Sequence, residues 1–282
     1  MRNRSRWIGL IVVCLMLLSA ASANAEVGGS PSNPPWLVAV FYTPPGGQSY
    51  MCSGTIIAPS VVLTAAHCAG GAVSSYEVID NQQGNPEWAV SHVVVDPNYD
   101  PTSALDDVAI LQLGEPTTGI ASQQLATTEA PIGASAQSYG WGDTQYADGG
   151  FAGGSGEQGY VAPYTVADCS MSGFTLAPSE GCLDGSGTYS MGPGDSGGPV
   201  IVNGAVSGIN DLSAGPEYDC MFTQVADVQP WLSNAIAALP GLPAAASPAS
   251  PPSMPAPTAK PHHRIVKHRR YKITLRDLFH IW

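Results

Sequence analysis

The chain has 282 residues, 44% hydrophobic and 11% charged, with 32 glycines, 25 prolines and a formal net charge of −12 at pH 7. That apolar content is ample for a packed core in one large domain or two small ones. Abundant turn formers and sparse charge favour an all-β protein over a helical bundle, and the acidic balance argues against a nucleic-acid partner.

Residues 1–25 read as a secretory signal peptide: Arg2, Arg4 and Arg6 precede an apolar run from Trp7 to Leu18, and Ala23-Asn24-Ala25 offers small residues for cleavage. The run is short for a membrane span, which needs roughly 20 residues, and no later stretch is long and apolar enough for one. The mature protein is therefore expected to be secreted. Its cysteines are Cys52, Cys68, Cys169, Cys182 and Cys220. Export makes disulfides the default, and the odd count leaves one thiol free or paired outside the chain.

Charge is unevenly placed. The ten Lys and Arg residues lie in the leader or between Lys260 and Arg276, so residues 26–259 have none, yet carry 21 of the 22 acids.

From Trp36 to about Val225 the pattern is short β-rich runs broken by Gly, Pro, Asn and Asp, which points to a sandwich or barrel. Strands are expected at Trp36–Tyr42, Thr55–Ile57, Val61–Thr64, Trp88–Val95, Val108–Leu113 and Pro199–Val202, with glycine-rich 147–159 as an exposed loop. The period then changes. Val228, Trp231, Leu232 and Ala235 stand at helical spacing, with Asp227 as N-cap and Pro230 in the first turn, for a short helix ending near Leu239. Residues 240–259, mostly Pro, Ala and Ser, read as an extended linker. Residues 260–282 form a basic tail, expected to be disordered or to contact an anionic surface or the acidic domain.

The chemistry begins at Gly194-Asp195-Ser196-Gly197-Gly198-Pro199. A serine hydroxyl needs a base to take its proton and donors to hold an oxyanion, and flanking glycines let backbone N–H groups approach a substrate carbonyl. The G-x-S-x-G pattern also fits an α/β-hydrolase elbow. That fold orders its triad Ser, acid, His, whereas here the only histidines after Ser196 are in the basic tail and the strand–helix alternation is missing. The base must lie upstream, at His67 or His92. His67, in Leu63-Thr64-Ala65-Ala66-His67-Cys68, is the candidate; His92 has no distinctive neighbours and reads as an ordinary surface or core histidine. An acid that orients the imidazole is the third need, and Asp107 leads into an apolar strand, whereas Asp106 reads as solvated.

Together, Thr64-Ala65-Ala66-His67-Cys68, Asp107-Val108-Ala109-Ile110-Leu111 and Gly194-Asp195-Ser196-Gly197-Gly198-Pro199 resemble the three signature blocks of chymotrypsin-family (trypsin-like) serine proteases, in the same order and at similar spacing. Glu26-Val27-Gly28-Gly29, Cys52-Ser53-Gly54-Thr55, Tyr139-Gly140-Trp141-Gly142 and Phe222-Thr223-Gln224-Val225 add to the likeness, which covers about 26–238. The resemblance implies an all-β fold of two six-stranded antiparallel β-barrels with a short C-terminal helix, over 26–239. It implies a secreted serine endopeptidase acting on polypeptides through an acyl-enzyme. Ser196 would be the nucleophile, His67 the base and Asp107 its orienter, with the N–H groups of Gly194 and Ser196 as the oxyanion hole. No metal or organic cofactor is implied. The competing reading is a proteolytically inactive homologue acting as a binding or adhesion module.

Further details come from the same resemblance. Cys52 and Cys68 match its histidine-loop disulfide, and Cys169 with Cys182 a second bridge. Cys220 lacks its usual partner, whose position is Gly192, so either it is free or it pairs with Cys182 and leaves Cys169 alone. Ser190 replaces the acid that would bind Lys or Arg, favouring an uncharged apolar or aromatic residue before the cleaved bond. Leu212 and Ser213 would complete the specificity pocket. Asp211 replaces the serine of the substrate edge, and either lies against Asp107 or turns outward. The amine freed at Glu26 by leader removal would pair with Asp195, although the family prefers Ile or Val at that position.

Overall fold

The computed structural model describes residues 26–70, 73, 75–80, 87–147, 150–152, 158–169 and 177–241. The expected leader, the tail and the linker beyond Gly241 lie outside them. Six strands close the first barrel: β2 (Leu37–Thr43), β3 (Tyr50–Ala58), β4 (Val61–Thr64), β5 (Ser75–Ile79), β6 (Glu87–Val95) and β7 (Ala109–Leu113), paired in the cyclic order β2-β3-β4-β7-β6-β5. The second closes through β8 (Ser135–Gly140), β11 (Tyr160–Ala167), β12 (Glu180–Asp184), β15 (Cys220–Gln224), β14 (Ala205–Asn210) and β13 (Pro199–Val202), with the two-residue β1 (Ser30–Pro31) on the edge of β11. All pairings between these strands are antiparallel. The expected all-β, double-barrel architecture is present. Closure leaves no long unpaired edge, which suits strands too short to shield their own backbone.

The strands differ with their place. β4 and β7 are buried throughout and, apart from Gln112, β-branched or aliphatic, whereas β11 alternates buried and half-buried or exposed positions, with Tyr160, Ala162, Tyr164 and Val166 inward. Val38, Ile56, Val62, Leu63, Ile110 and Leu111 fill the first barrel at 0–1% exposure. Truncating one such leucine to alanine typically costs about 2–5 kcal/mol.

Part of 147–159 departs from the expected loop: Gly150–Ala152 (β10) pairs with Gln145–Ala147 (β9) as a hairpin. The helix α1 spans Val225–Ala238, so it begins earlier than the periodicity indicated. Gln224, the last residue of β15, is its N-cap in extended conformation without a side-chain cap, and Asp227 lies in the first turn rather than at the cap. The strand runs straight into the helix, leaving no turn for Asp227 to cap. Asp227 still faces the positive end of the helix dipole. Val225, Val228 and Leu232 bury the inner face, and Gln112 Nε2 of β7 donates to the Pro240 carbonyl at 2.6 Å, pinning the end of the helix to the first barrel.

Candidate active site

The β4–β7 ladder positions two of the three candidate residues. Thr64 pairs with Ala109, so the chain leaving β4 runs beside the chain entering β7. His67 sits three residues past Thr64, in a turn closed by hydrogen bonds from Ala69 and Gly70 to the Ala66 carbonyl. Asp107 precedes Ala109 by two. Its Oδ1 accepts the His67 backbone N–H at 2.8 Å and its Oδ2 meets Nδ1 of the ring at 2.5 Å. These two bonds hold the imidazole by main chain and ring together. Cys68 is bonded to Cys52 of β3, fixing the turn from the other side. Closing that loop of sequence separation 16 is worth about 3 kcal/mol in the chain-entropy picture.

Burial lowers the proton affinity of His67, but the Asp107 charge and hydrogen bond outweigh it, leaving the imidazole above its ordinary 6.5. Burial raises Asp107, yet the His67 charge and the bonds from His67 and Asp211 hold it below its ordinary range. The ring keeps 25% of its side-chain surface open, against 1% for Asp107.

Ser196 comes from the second barrel, in the loop before β13. Asp195 folds back there, taking N–H groups of Gly192 and Gly142 at 2.8 Å each and that of Glu26. Gly194 and Gly197 have φ of +96° and +81°, conformations that side chains rarely adopt. The N–H groups of Gly194 and Ser196 donate to no acceptor among the described residues, so both are free for an incoming oxygen. Ser53 N–H of β3 donates to the Ser196 carbonyl at 2.7 Å, joining the barrels at Ser196. The Ser196 hydroxyl donates at 3.4 Å to the carbonyl of Asp211 rather than to His67. Asp211 does not turn outward. It is 5% exposed, with Oδ1 3.8 Å from His67 Nδ1.

Ser190 is buried, and its hydroxyl meets that of Ser213 at 2.6 Å. Leu212, next to Ser213 in sequence, is buried as well. Cys169 is bonded to Cys182, and Cys220 is a buried free thiol, 3.4 Å from Ser213 Oγ and 3.9 Å from Ser190 Oγ. Burial pushes that thiol up to about 11.

Glu26 is fully buried. Ser138 Oγ and Tyr164 Oη donate to its carboxyl, the latter at 2.9 Å, and Asn210 Nδ2 donates at 3.4 Å. Burial and then the charge of Asp195 push Glu26 well up, against those hydrogen bonds. The polar cage explains how an acid occupies a position where the family uses an apolar residue.

His92 is exposed on β6, and Asp106 is half-buried. His67, Asp107 and Asp211 bring one donor atom each within 4.8 Å of one another, but a cation there would have to displace the proton between Nδ1 and Asp107. Sequence reasoning missed Glu180, buried on β12 against Asp211, and the position of Cys220 beside Ser190. The one signal for Glu180 was an acid opening the strand that carries Cys182.

The family model described as Trypsin matches residues 26–232. A trypsin of Phaedon cochleariae is 28% identical over 207 residues, covering 65% of this chain and 78% of that protein. Brachyurin of Leptuca pugilator is 28% identical over 204 residues, covering 68% and 90%. Human chymotrypsin-like elastase family member 1 is 30% identical over 229 residues, covering 72% and 88%. The solved structure of mouse neuropsin, a serine protease, superposes with a TM-score of 0.63 at 22% identity, over 74% of this chain and 98% of that one, and so bears on the fold. The chain belongs to the trypsin family of serine-type endopeptidases, hydrolases whose substrates are polypeptides.

Proposed function

We propose that the chain is exported and, with residues 1–25 removed, acts as a secreted serine endopeptidase with His67, Asp107 and Ser196 as its triad. The observation that carries this is the double hydrogen bond of His67 to Asp107 beside a serine loop whose two N–H groups have no partner among the described residues. The Ser196 hydroxyl turns from the Asp211 carbonyl to His67 once substrate occupies the cleft, as catalytic hydrogen bonds commonly tighten only in the substrate complex. His67 takes the proton as Ser196 Oγ attacks the carbonyl carbon. Asp107 stabilises the imidazolium, and the N–H groups of Gly194 and Ser196 receive the developing oxyanion. His67 then passes the proton to the leaving amine, and water releases the acyl group by the reverse sequence.

An uncharged residue before the scissile bond fits a pocket built of Ser190, Leu212 and Ser213 with Cys220 against the two serines. No acid stands at Ser190 to pair with Lys or Arg. The disulfides Cys52–Cys68 and Cys169–Cys182 suit an oxidising compartment, and none of the described helices is long and apolar enough to cross a membrane. The test is covalent labelling with a serine-directed fluorophosphonate. Wild type should label at Ser196, Ser196→Ala should not, and a peptide library should be cleaved only by wild type. Absence of labelling and cleavage in a correctly processed sample would favour the inactive, binding homologue.

A further inference from the structure

Behind His67 and Asp107 lie two buried carboxyls that the triad chemistry leaves unused. Asp211, just past β14, is 5% exposed and Glu180, opening β12, is 8% exposed. An Asp211 carboxyl oxygen lies within 4.8 Å of one of Asp107, and the carboxyls of Asp211 and Glu180 are neighbours that act on each other's proton affinity. Yet Asp211 Oδ2 and Glu180 Oε2 are buried without a donor as long as both groups are charged. A carboxylate only accepts, so two facing carboxylates repel and leave oxygens unpaired, whereas a carboxylic acid donates.

The surroundings supply no alternative counter-charge. Residues 26–259 contain no Lys or Arg. The titratable groups around the cluster are His67 in the turn after β4, and Tyr99 and Asp106 in the β6–β7 connection. Tyr99 is a neutral phenol held further up by burial and then by the charge of Asp107. Asp106 adds negative potential. From β15, Thr223 Oγ1 donates to Glu180 Oε1 at 3.2 Å, which serves only one Glu180 oxygen. His67 alone can become positive, and its Nδ1 is committed to Asp107.

We propose that Asp211 is a positioning residue of this peptidase: as a neutral acid it donates to the Asp107 carboxylate and is itself held by a protonated Glu180, so that three carboxyls carry one negative charge behind His67. This rests on the endopeptidase reading above. The arrangement satisfies both orphaned oxygens and keeps the single charge on the residue that faces the imidazole. Burial, followed by the charge of Asp107, holds both Asp211 and Glu180 well above the ordinary carboxyl range, in keeping with retained protons.

The test uses processed full-length enzyme carrying Asp211→Asn, Asp211→Leu or Glu180→Gln. Asn keeps the shape and an N–H donor but cannot ionise; Leu keeps the approximate shape and donates nothing. The infrared difference between wild type and Asp211→Asn at pH 7 should lose a protonated-carboxyl C=O band, and so should that for Glu180→Gln. Asp211→Leu should lose kcat by roughly 10- to 100-fold with KM little changed, the size of one charge-assisted hydrogen bond, and Asp211→Asn should recover most of that loss. Loss of a carboxylate band in the Asp211→Asn spectrum overturns the proposal, as does equal kcat in the Leu and Asn variants. If Asp211→Leu does not fold, the infrared result on Asp211→Asn decides. Fluorophosphonate labelling of wild type is scored separately, so failure of the peptidase reading is distinguishable from failure of this one.

Discussion

The thiol of Cys220, on β15, lies 3.9 Å from the hydroxyl of Ser190 and contacts it across the second barrel. Both residues are fully buried, and Met191 N–H donates to the same sulfur at 3.4 Å. Cys220 therefore occupies space beside the pocket residue that the family resemblance singles out. Replacing it with glycine should enlarge the pocket. We expect Cys220→Gly to raise kcat/KM for phenylalanine relative to alanine before the scissile bond by about tenfold or more, the scale of one or two methylenes in an apolar pocket. Paired peptide substrates measure this, and an unchanged ratio would place Cys220 outside the pocket wall.

Gly194 offers a separate test of the oxyanion site. A Cβ there would meet Gly142 Cα and Met51 Cε at 2.7 Å, on a backbone at φ +96°. Gly194→Ala should displace the N–H that faces the developing charge and lower kcat by about 10²- to 10³-fold. Backbone strain should add about 1–3 kcal/mol of destabilisation. Stopped-time assays and thermal unfolding of the same sample separate the two effects.

Activity and stability should respond to pH in opposite directions. Catalysis needs neutral His67, which lies above 6.5, so kcat/KM should fall as pH drops through that raised value. Glu26, Glu180 and Asp211 are all raised in the fold, chiefly by burial. Their contribution to stability is full below the ordinary carboxyl value of about 4 and is lost as pH rises through their folded values. Raised His67 contributes in the same sense, below about 6.5. Asp107, lowered by His67 against its burial, opposes: its contribution is present above about 4 and lost as pH falls through its folded value. The raised groups outnumber it, so Ser196→Ala protein should melt several degrees higher at pH 5 than at pH 8, roughly 5–10 °C. A higher melting temperature at pH 8 would contradict this balance.

Processing at Glu26 should be visible in the same measurement. With an amide at that position the buried Asp195 carboxyl sits at about 7, burial outweighing the N–H groups of Gly192, Gly142 and Glu26. Above that value it is a buried charge without a cation. An amine freed at Glu26 would supply one. The processed form of Ser196→Ala should therefore gain more stability over the unprocessed form at pH 7.5 than at pH 5, and N-terminal sequencing should read Glu26 first. Equal gains at both pH values would mean that no such ion pair forms.

Much of the candidate site was legible because the chemistry proposed for it demands particular residues in particular company. Glycines must flank Ser196 where the backbone turns through positive φ, and an acid must lead into a buried strand at Asp107 to meet His67. The strands at Val61–Thr64 and Pro199–Val202 were readable to the residue, as short apolar runs between turn formers. The start of α1 was not, because Gln224 completes a strand ladder whose register only its partner β14 defines.

The amino-acid sequence by itself determined the all-β class, the three candidate residues His67, Asp107 and Ser196 and the absence of strong cations between 26 and 259, while the choice of barrel over sandwich came from the resemblance of the three motif blocks. Local periodicity, turn chemistry and composition are properties of neighbours along the chain, and they carry that information. Only the tertiary structure decided that Glu180 on β12 and Asp211 just past β14 share a buried site with Asp107, that Cys220 stays unpaired beside Ser190, and that Glu26 rests in a polar cage. Burial and charge coupling arise between residues distant in sequence, and they exist only once the second barrel closes around them.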